Sequence, residues 1–360
     1  MRTLSARARL LSTLGAPVAA LLLLESGLRV AAFEHRPEPV PPVVWRTADE
    51  QGSLHRADDW SLWSPRPGAP IGNSGECINA AGFRGPDPAS QRAPGTLRVV
   101  LLGESSIFGI GVPWTQSCAP QLERLLGERG VRAEVINAGV LGHTLPQGLE
   151  RYRSVVRALR PDVACVAFGA LNEFSPCQGL SDVEKLALAR QHRAASAAPD
   201  LWTRLSGNLR VLQLIDSWRA RPDLEALLAP RPTGQDGPDE ICRLDWPGCR
   251  RVPRQDFEVA LDELVQTLQA DGVRPLLVSL PRHPAQEDRR PIQAAYSQSI
   301  EQAGQRWAIR VVDARAAVRD AAASGTDPAA FFISENAFHL GPRGQLLLAT
   351  LLADGIAPPR

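Results

Sequence analysis

The chain has 360 residues, of which 44% are hydrophobic, and this composition supports a large folded core. It therefore excludes an intrinsically disordered chain and a small domain held together by disulfides alone. The 40 basic and 39 acidic side chains leave a formal net charge of +1, which gives no electrostatic reason to expect nucleic acid as a partner.

The first 35 residues have the pattern of an export segment. Three arginines within the first nine residues precede an uncharged run over 10–24. We favour a signal anchor that crosses the bacterial cell membrane once and leaves the remaining chain in the periplasm, because Glu25 interrupts the approach to a cleavage site near Val30-Ala31-Ala32. The alternative is a cleaved signal peptide, which would release a secreted protein.

Residues 36–95 form a proline-rich segment. Ten prolines exclude a regular helix, so the first part is predicted to be a stiff spacer from the membrane. The segment also contains Trp45, Trp60 and Trp63. Because exposed tryptophans are costly, we expect the later part to pack on the following domain.

Buried strands and amphipathic helices alternate over residues 96–358. Apolar runs predict strands at 97–102, 133–137, 162–168, 275–280 and 309–313. Helical spacing of apolar residues predicts helices at 115–129, 146–159, 255–270, 292–307 and 342–353. This alternation predicts an α/β fold, a three-layer α/β/α sandwich with a doubly wound parallel sheet.

Residues 176–254 interrupt the alternation and are predicted to be an insertion that forms a lid or a partner surface. Two pieces, 181–195 and 209–218, are compatible with helices. Cys242 and Cys249 bracket a short turn, and export favours a disulfide between them over two unrelated thiols. The six cysteines lack the Cys-x-x-Cys and histidine spacing of a zinc site, so no metal site is predicted.

Polar residues collect where the predicted strands end. Ser105 follows the first strand, Gly142 and His143 follow the second, and Asn172 follows the third. His339 precedes the last helix. Since catalytic groups in open parallel sheets lie at the carboxyl ends of the strands, we expect a hydroxyl, a backbone amide, a side-chain amide and an imidazole at one edge.

The order and spacing of these residues over 96–353 resemble the SGNH (GDSL-like) esterases and acyl hydrolases, which have a flavodoxin-like fold. The resemblance implies that Ser105 is the nucleophile and His339 its base. It also implies that the backbone amide of Gly142 and the side chain of Asn172 enter the oxyanion hole. Residues 79–85 resemble the segment that precedes the hydrolase domain in membrane-anchored bacterial members.

The chemistry of acyl transfer agrees with these roles. A serine hydroxyl becomes a good nucleophile when a base takes its proton, so Ser105 needs His339 within hydrogen-bond reach. The loss of one oxyanion donor typically raises the barrier by ~3 kcal/mol.

Two positions depart from the family pattern. Asn336 stands where the family has the aspartate that orients the histidine. Glu335 could replace that acid, Asn336 could orient the ring as an amide, or Ser105 and His339 could work as a dyad with a backbone carbonyl; all three remain open. Glu104 replaces the usual aspartate before the nucleophile.

His143 and His283 are further candidates as substrate-binding residues, and a histidine of a surface loop is the alternative for His143. We predict a serine ester hydrolase that needs no metal or organic cofactor and acts on an O-acyl group of a carbohydrate or on a lipid-like ester. An O-acyltransferase of the same fold is one rival. The other is a non-catalytic module that binds glycans or assists envelope assembly on a degenerate scaffold.

Overall fold

The computed structural model describes residues 6–34, 54–177, 179–197, 201–218, 240–287, 289–333 and 338–357. The strands are β1 (His55–Asp58), β2 (Leu62–Pro65), β3 (Leu97–Gly103), β4 (Ala133–Asn137), β5 (Val163–Ala167), β6 (Arg274–Ser279) and β7 (Val311–Asp313). The helices are α1 (Ala6–Val30), α2 (Ser105–Phe108), α3 (Cys118–Glu128), α4 (Leu145–Ser154), α5 (Asp182–Ala197), α6 (Leu201–Ser206), α7 (Arg210–Ser217), α8 (Arg254–Ala270), α9 (Pro284–Glu287), α10 (Pro291–Trp307), α11 (Ala314–Ala323) and α12 (Pro342–Ile356).

The central sheet has the order β4-β3-β5-β6-β7, and every neighbouring pair is parallel. Counted within the sheet alone this order is 2-1-3-4-5, the doubly wound arrangement of flavodoxin-like folds. Each of the five predicted strands is present, and the predicted fold class is confirmed. The first crossover from β3 to β4 reverses direction relative to the later ones, so the carboxyl ends of β3 and β5 flank the crevice where such folds bind ligands.

Both faces of the sheet are buried, because the strands are apolar at almost every position. Val100 and Leu102 pack with α4, α8 and α10 on one face. Val99 and Leu101 pack with α3, α11 and α12 on the other. The result is the three-layer sandwich that the alternation of strands and helices predicts.

The chain divides into two compact units. The larger comprises 43–189 and 225–360 and contains the sheet, and the smaller comprises 1–42 and 190–224. Within the smaller unit, the Glu25 carboxylate accepts the N–H of Val211 at 2.9 Å, and Arg29 donates to the carbonyl of Asn208 at 2.7 Å. These contacts join α1 to the start of α7. The predicted boundaries of anchor, spacer and hydrolase domain stay predictions.

The helix predicted near the N-terminus is present as α1. However, within the described residues we find no helix with the length and hydropathy required to cross a membrane. The signal anchor stays a prediction.

Part of the proline-rich segment folds with the larger unit, as its tryptophans predict. β1 and β2 form an antiparallel hairpin, and Trp63 in β2 is 4% exposed and donates its indole N–H to the Leu141 carbonyl at 3.1 Å. Trp60 is exposed, and Trp45 lies outside the described residues.

The disulfide predicted between Cys242 and Cys249 is wrong. Cys249 is bonded to Cys177, 72 residues earlier, and Cys242 is buried and takes no part in this disulfide. The reason is a short antiparallel ladder at the base of the insertion, in which the N–H of Cys177 donates to the Cys249 carbonyl at 2.8 Å and that of Val252 donates to the Glu173 carbonyl at 2.9 Å. The ladder brings distant cysteines together, whereas Cys242 packs in the core on the α8 and α10 face.

Candidate active site

Ser105 begins α2 directly beyond the end of β3 and is 9% exposed. The turn between strand and helix is tight, since a Cβ at Gly103 would lie 2.4 Å from the Ile107 side chain and 2.7 Å from the Ala167 carbonyl. Glycine at 103 thus allows the helix to start immediately after the sheet. This places the hydroxyl of Ser105 at the carboxyl edge of the sheet.

The structure brings Ser105 and His339 together although 234 residues separate them. Ser105 Oγ lies 2.9 Å from His339 Nε2, which is hydrogen-bond distance. His339 lies shortly before α12, whose first residue is Pro342. Glu335 and Asn336, the two candidates for orienting the imidazole, lie outside the described residues.

The surroundings of His339 favour its neutral form. Burial lowers the pKa of the imidazole from its ordinary value, and the positive charge of Arg282 lowers this pKa further. A general base must be unprotonated to accept the serine proton. His339 therefore keeps this state to a lower pH than a free histidine would.

Two backbone amides are available near Ser105 for an oxyanion. Ser105 is the first residue of α2, so its N–H has no acceptor within the helix. Gly142 has φ 75°, in the left-handed region, and its N–H donates to no acceptor in the part of the chain that the structure describes. Its carbonyl accepts from Arg251 at 2.8 Å, which fixes the orientation of this peptide.

Asn172 already uses both hydrogens of its side-chain amide. Its Nδ2 donates to the Glu104 carboxylate at 2.7 Å and to the His143 carbonyl at 3.0 Å. These bonds hold the loop after β5 beside the nucleophile turn. A bond from Asn172 to an oxyanion would have to share or replace one of them, and its oxyanion role stays a prediction.

Two buried carboxyl groups lie behind the site. Burial raises the pKa of Glu104 to about 7, against the opposing effect of the Arg282 charge. Burial and then repulsion by Glu104 also raise the pKa of Glu173 above its usual value. Glu173 accepts the N–H of Leu145 at 3.1 Å and thereby tethers the start of α4. The pair therefore binds protons more tightly in the folded than in the unfolded chain.

Glu104→Gln should stabilise the fold more at pH 8 than at pH 5. Because burial raises the pKa of Glu104 in the folded protein to about 7 from its ordinary value of 4.5, ionisation of Glu104 costs stability increasingly as pH rises from about 4.5 to about 7. The neutral glutamine removes this cost and keeps an oxygen acceptor for Asn172. We expect the gain in unfolding free energy to grow by up to about 3 kcal/mol between the two pH values, measured by urea denaturation. An equal effect at both would contradict the assignment.

The two other predicted histidines differ in their surroundings. His143 is 1% exposed, and its Nε2 lies 2.9 Å from the Trp63 carbonyl. Burial lowers the pKa of His143 well below its ordinary value. His283 is half-buried beyond the end of β6, and its Nδ1 accepts the Ala285 N–H at 3.3 Å. The structure thus holds His143 within the protein and leaves His283 nearer the surface.

Three arginines support the site and were not predicted from the sequence. Arg84 donates to the carbonyls of Phe108 and Val112 at 2.9 and 2.7 Å, which holds the loop that follows the nucleophile helix. Arg251 binds Gly142, and the fully buried Arg282 donates to the carbonyl of Ala170. Arg84 lies within the segment 79–85, and Arg282 directly precedes His283. Both positions therefore belong to parts of the sequence that the motifs already mark, but no motif indicates that these arginines hold the site.

Across the described ranges, no group of three or more histidine, cysteine or acidic side chains is placed to hold a metal ion.

The chain is similar to several solved structures of hydrolases. A lipase/acylhydrolase from Enterococcus faecalis is 17% identical with a TM-score of 0.45, and the match covers 72% of this chain and 95% of that chain. For an acetylxylan esterase from Geobacillus stearothermophilus the identity is 15%, the TM-score 0.44 and the coverage 72% and 94%. An α/β hydrolase from the metagenome of Lake Arreo, Spain, is 14% identical with a TM-score of 0.46 and coverage of 75% and 98%. No curated protein matches the chain.

Residues 101–347 match the model of the GDSL-like lipase/acylhydrolase family. This range contains every strand of the sheet from the end of β3 onward and includes both Ser105 and His339. The chain therefore belongs to the GDSL-like lipase/acylhydrolase family and is a carboxylic ester hydrolase.

Proposed function

We propose that the chain cleaves an O-acyl ester through an acyl-serine intermediate on Ser105. The observation that carries this proposal is the 2.9 Å distance between Ser105 Oγ and His339 Nε2. A hydroxyl at this distance from a neutral imidazole can transfer its proton as the oxygen attacks an acyl carbonyl.

In the first half-reaction, Ser105 Oγ bonds to the acyl carbon while His339 takes the hydroxyl proton. The negative charge passes to the carbonyl oxygen, where the N–H groups of Ser105 and Gly142 stabilise it. The intermediate then expels the alcohol, which receives the proton from His339. In the second half-reaction, water attacks the acyl carbon while His339 takes one of its protons. The intermediate then breaks its bond to Ser105, which releases the carboxylic acid, and His339 returns the proton to Ser105 Oγ.

For the substrate we propose an O-acyl group on a carbohydrate, or a lipid-like ester, of the cell envelope. The family description supports an acyl ester. The proposed location is the periplasm, supported by the basic and apolar N-terminal sequence and by the Cys177–Cys249 disulfide, since such bonds persist outside the cytoplasm.

A fluorophosphonate probe tests the acyl-serine proposal, because it forms a stable adduct only with an activated serine. We expect stoichiometric labelling of the wild-type protein at Ser105, found by peptide mass spectrometry, and no labelling of Ser105→Ala. Ser106→Ala is the matched control and should keep the label. Absence of an adduct in the folded wild-type protein would contradict the proposal.

The same probe tests the location when it carries a sulfonate that prevents passage through the inner membrane. Added to intact spheroplasts or, for a cleaved and released chain, to the periplasmic fraction, it should label Ser105 before lysis. Labelling confined to lysed cells would argue against export.

A further inference from the structure

Two arginines lie against the same aromatic ring next to the catalytic histidine. The guanidinium carbons of Arg282 and Arg290 lie 4.9 and 5.0 Å from the centre of the Phe338 ring. Phe338 immediately precedes His339. Arg282 also lies 4.9 Å from the centre of the Phe174 ring. Two positive charges are therefore held close together on the ring that precedes His339, and the charge of Arg282 acts on the His339 imidazole.

Both guanidinium groups have donors without acceptors. Arg282 is 2% exposed, and its Nη2 donates to the carbonyl of Ala170, but its buried Nη1 has no hydrogen-bond partner within the described residues. The same holds for the buried Nε of Arg290 and for both polar atoms of the Gln293 side chain. Gln293 is tied to Arg290 by a backbone hydrogen bond of 3.1 Å at the start of α10.

The neighbouring carboxylates do not neutralise this pair of arginines. Glu287 is occupied by Arg315 and Arg319, whose Nε atoms lie 3.1 and 2.9 Å from its two oxygens. Glu104 accepts from Asn172, and burial raises its pKa to about 7, so it is only partly ionised near neutral pH. Arg282 and Arg290 therefore keep a positive charge that nearby carboxylates do not balance, and each has a buried hydrogen-bond donor without an acceptor in the described part of the chain.

We propose that Arg282 and Arg290 bind an anionic oxygen group of the substrate, so that the preferred esters carry a carboxylate or a similar group near the scissile bond. This inference rests on the proposed function of the same site. Guanidinium groups recognise such anions through directed, charge-assisted hydrogen bonds. Because Arg290 is half-buried and Arg282 fully buried, the anion would approach from the side of Arg290.

Two matched substrate pairs test this specificity and show whether the site binds a negative charge on the alcohol side or on the acyl side of the ester. 4-Acetoxybenzoate against its methyl ester places the charge on the alcohol side, and mono-4-nitrophenyl adipate against 4-nitrophenyl hexanoate places it on the acyl side. We expect the wild-type kcat/KM to favour the anionic member of one pair by about ten- to hundredfold. Arg290→Ala should reduce that preference by the same factor, and Arg290→Lys should restore part of it. Arg289→Ala, at the exposed neighbouring position, is the control and should retain it.

A binding measurement separates this inference from the proposed function. With Ser105→Ala, calorimetry should detect 4-hydroxybenzoate or adipate, according to the favoured pair, and Arg290→Ala should weaken that binding by about tenfold or more. Equal kcat/KM for both members of both pairs would overturn the specificity while leaving the esterase intact. If no ester is hydrolysed, the proposed function fails, and the binding measurement alone tests the anion site. Binding of the anion that is equally strong in Arg290→Ala would then overturn the anion site.

Discussion

His339→Ala is expected to lower kcat/KM for ester hydrolysis by about 10³-fold or more. The imidazole is the only base found within hydrogen-bond distance of the Ser105 hydroxyl among the described residues. Without it the hydroxyl must lose its proton to water, and the departing alcohol loses its proton donor. Initial rates with 4-nitrophenyl acetate, corrected for hydrolysis by buffer, measure this loss.

The double variant Ser105→Ala/His339→Ala shows whether the two residues act as one unit. If they share the same proton transfer, the kcat/KM of the double variant should be no lower than that of the less active single variant. The reason is that the effects of substituting groups that act together do not add. His192→Ala, in α5 and outside the site, is the control and should keep wild-type kcat/KM. Multiplication of the two single losses would show independent roles and contradict the proposed mechanism.

The sheet was predictable because each of its main strands is a short continuous run of apolar residues in the sequence. Apolar runs that are buried on both faces, as at β3 and β5, differ clearly from amphipathic helices, and their carboxyl ends locate the site. α11 was not predicted, since its sequence is mostly alanine and arginine with Val318 as the one larger apolar residue on its buried face. Its start is fixed instead by the Asp313 side chain, which accepts the N–H of Ala316 at 3.0 Å.

The contacts that hold the site together were harder to predict, because they join residues that are distant in sequence. Ser105, Gly142, Asn172 and His339 follow from motif order, and their placement at one edge follows from the parallel sheet. Both hydrogens of the Asn172 amide are engaged because the Glu104 carboxylate and the His143 carbonyl, from two other loops, lie within hydrogen-bond distance of it. Likewise, only the three-dimensional arrangement shows that Arg282 and Arg290 meet at Phe338.

The incorrect disulfide assignment has the same origin. Proximity along the chain favoured Cys242 with Cys249, because a short turn needs little loop-closure entropy. In the structure, the ladder between 173–177 and 249–252 supplies the closure, so the bond forms across the base of the insertion.

Cys177→Ser is therefore expected to lower the unfolding free energy by about 2 to 4 kcal/mol under oxidising conditions, the upper value being that of loop closure over about 72 residues. The ladder hydrogen bonds persist in this variant, but the unfolded chain gains the conformational freedom that the bond removes. Urea denaturation with and without dithiothreitol measures the effect, and the reductant should destabilise the wild-type protein by a similar amount.

The response to dithiothreitol distinguishes the two connectivities more sharply than stability alone. Cys242 is buried, so Cys242→Ser should itself be destabilising, yet it should leave the effect of the reductant intact. Cys177→Ser should abolish that effect, because the bond it removes is the one the reductant breaks. A response that survives in Cys177→Ser and disappears in Cys242→Ser would instead show that the bond lies within the short turn, and the ladder would then not determine the pairing.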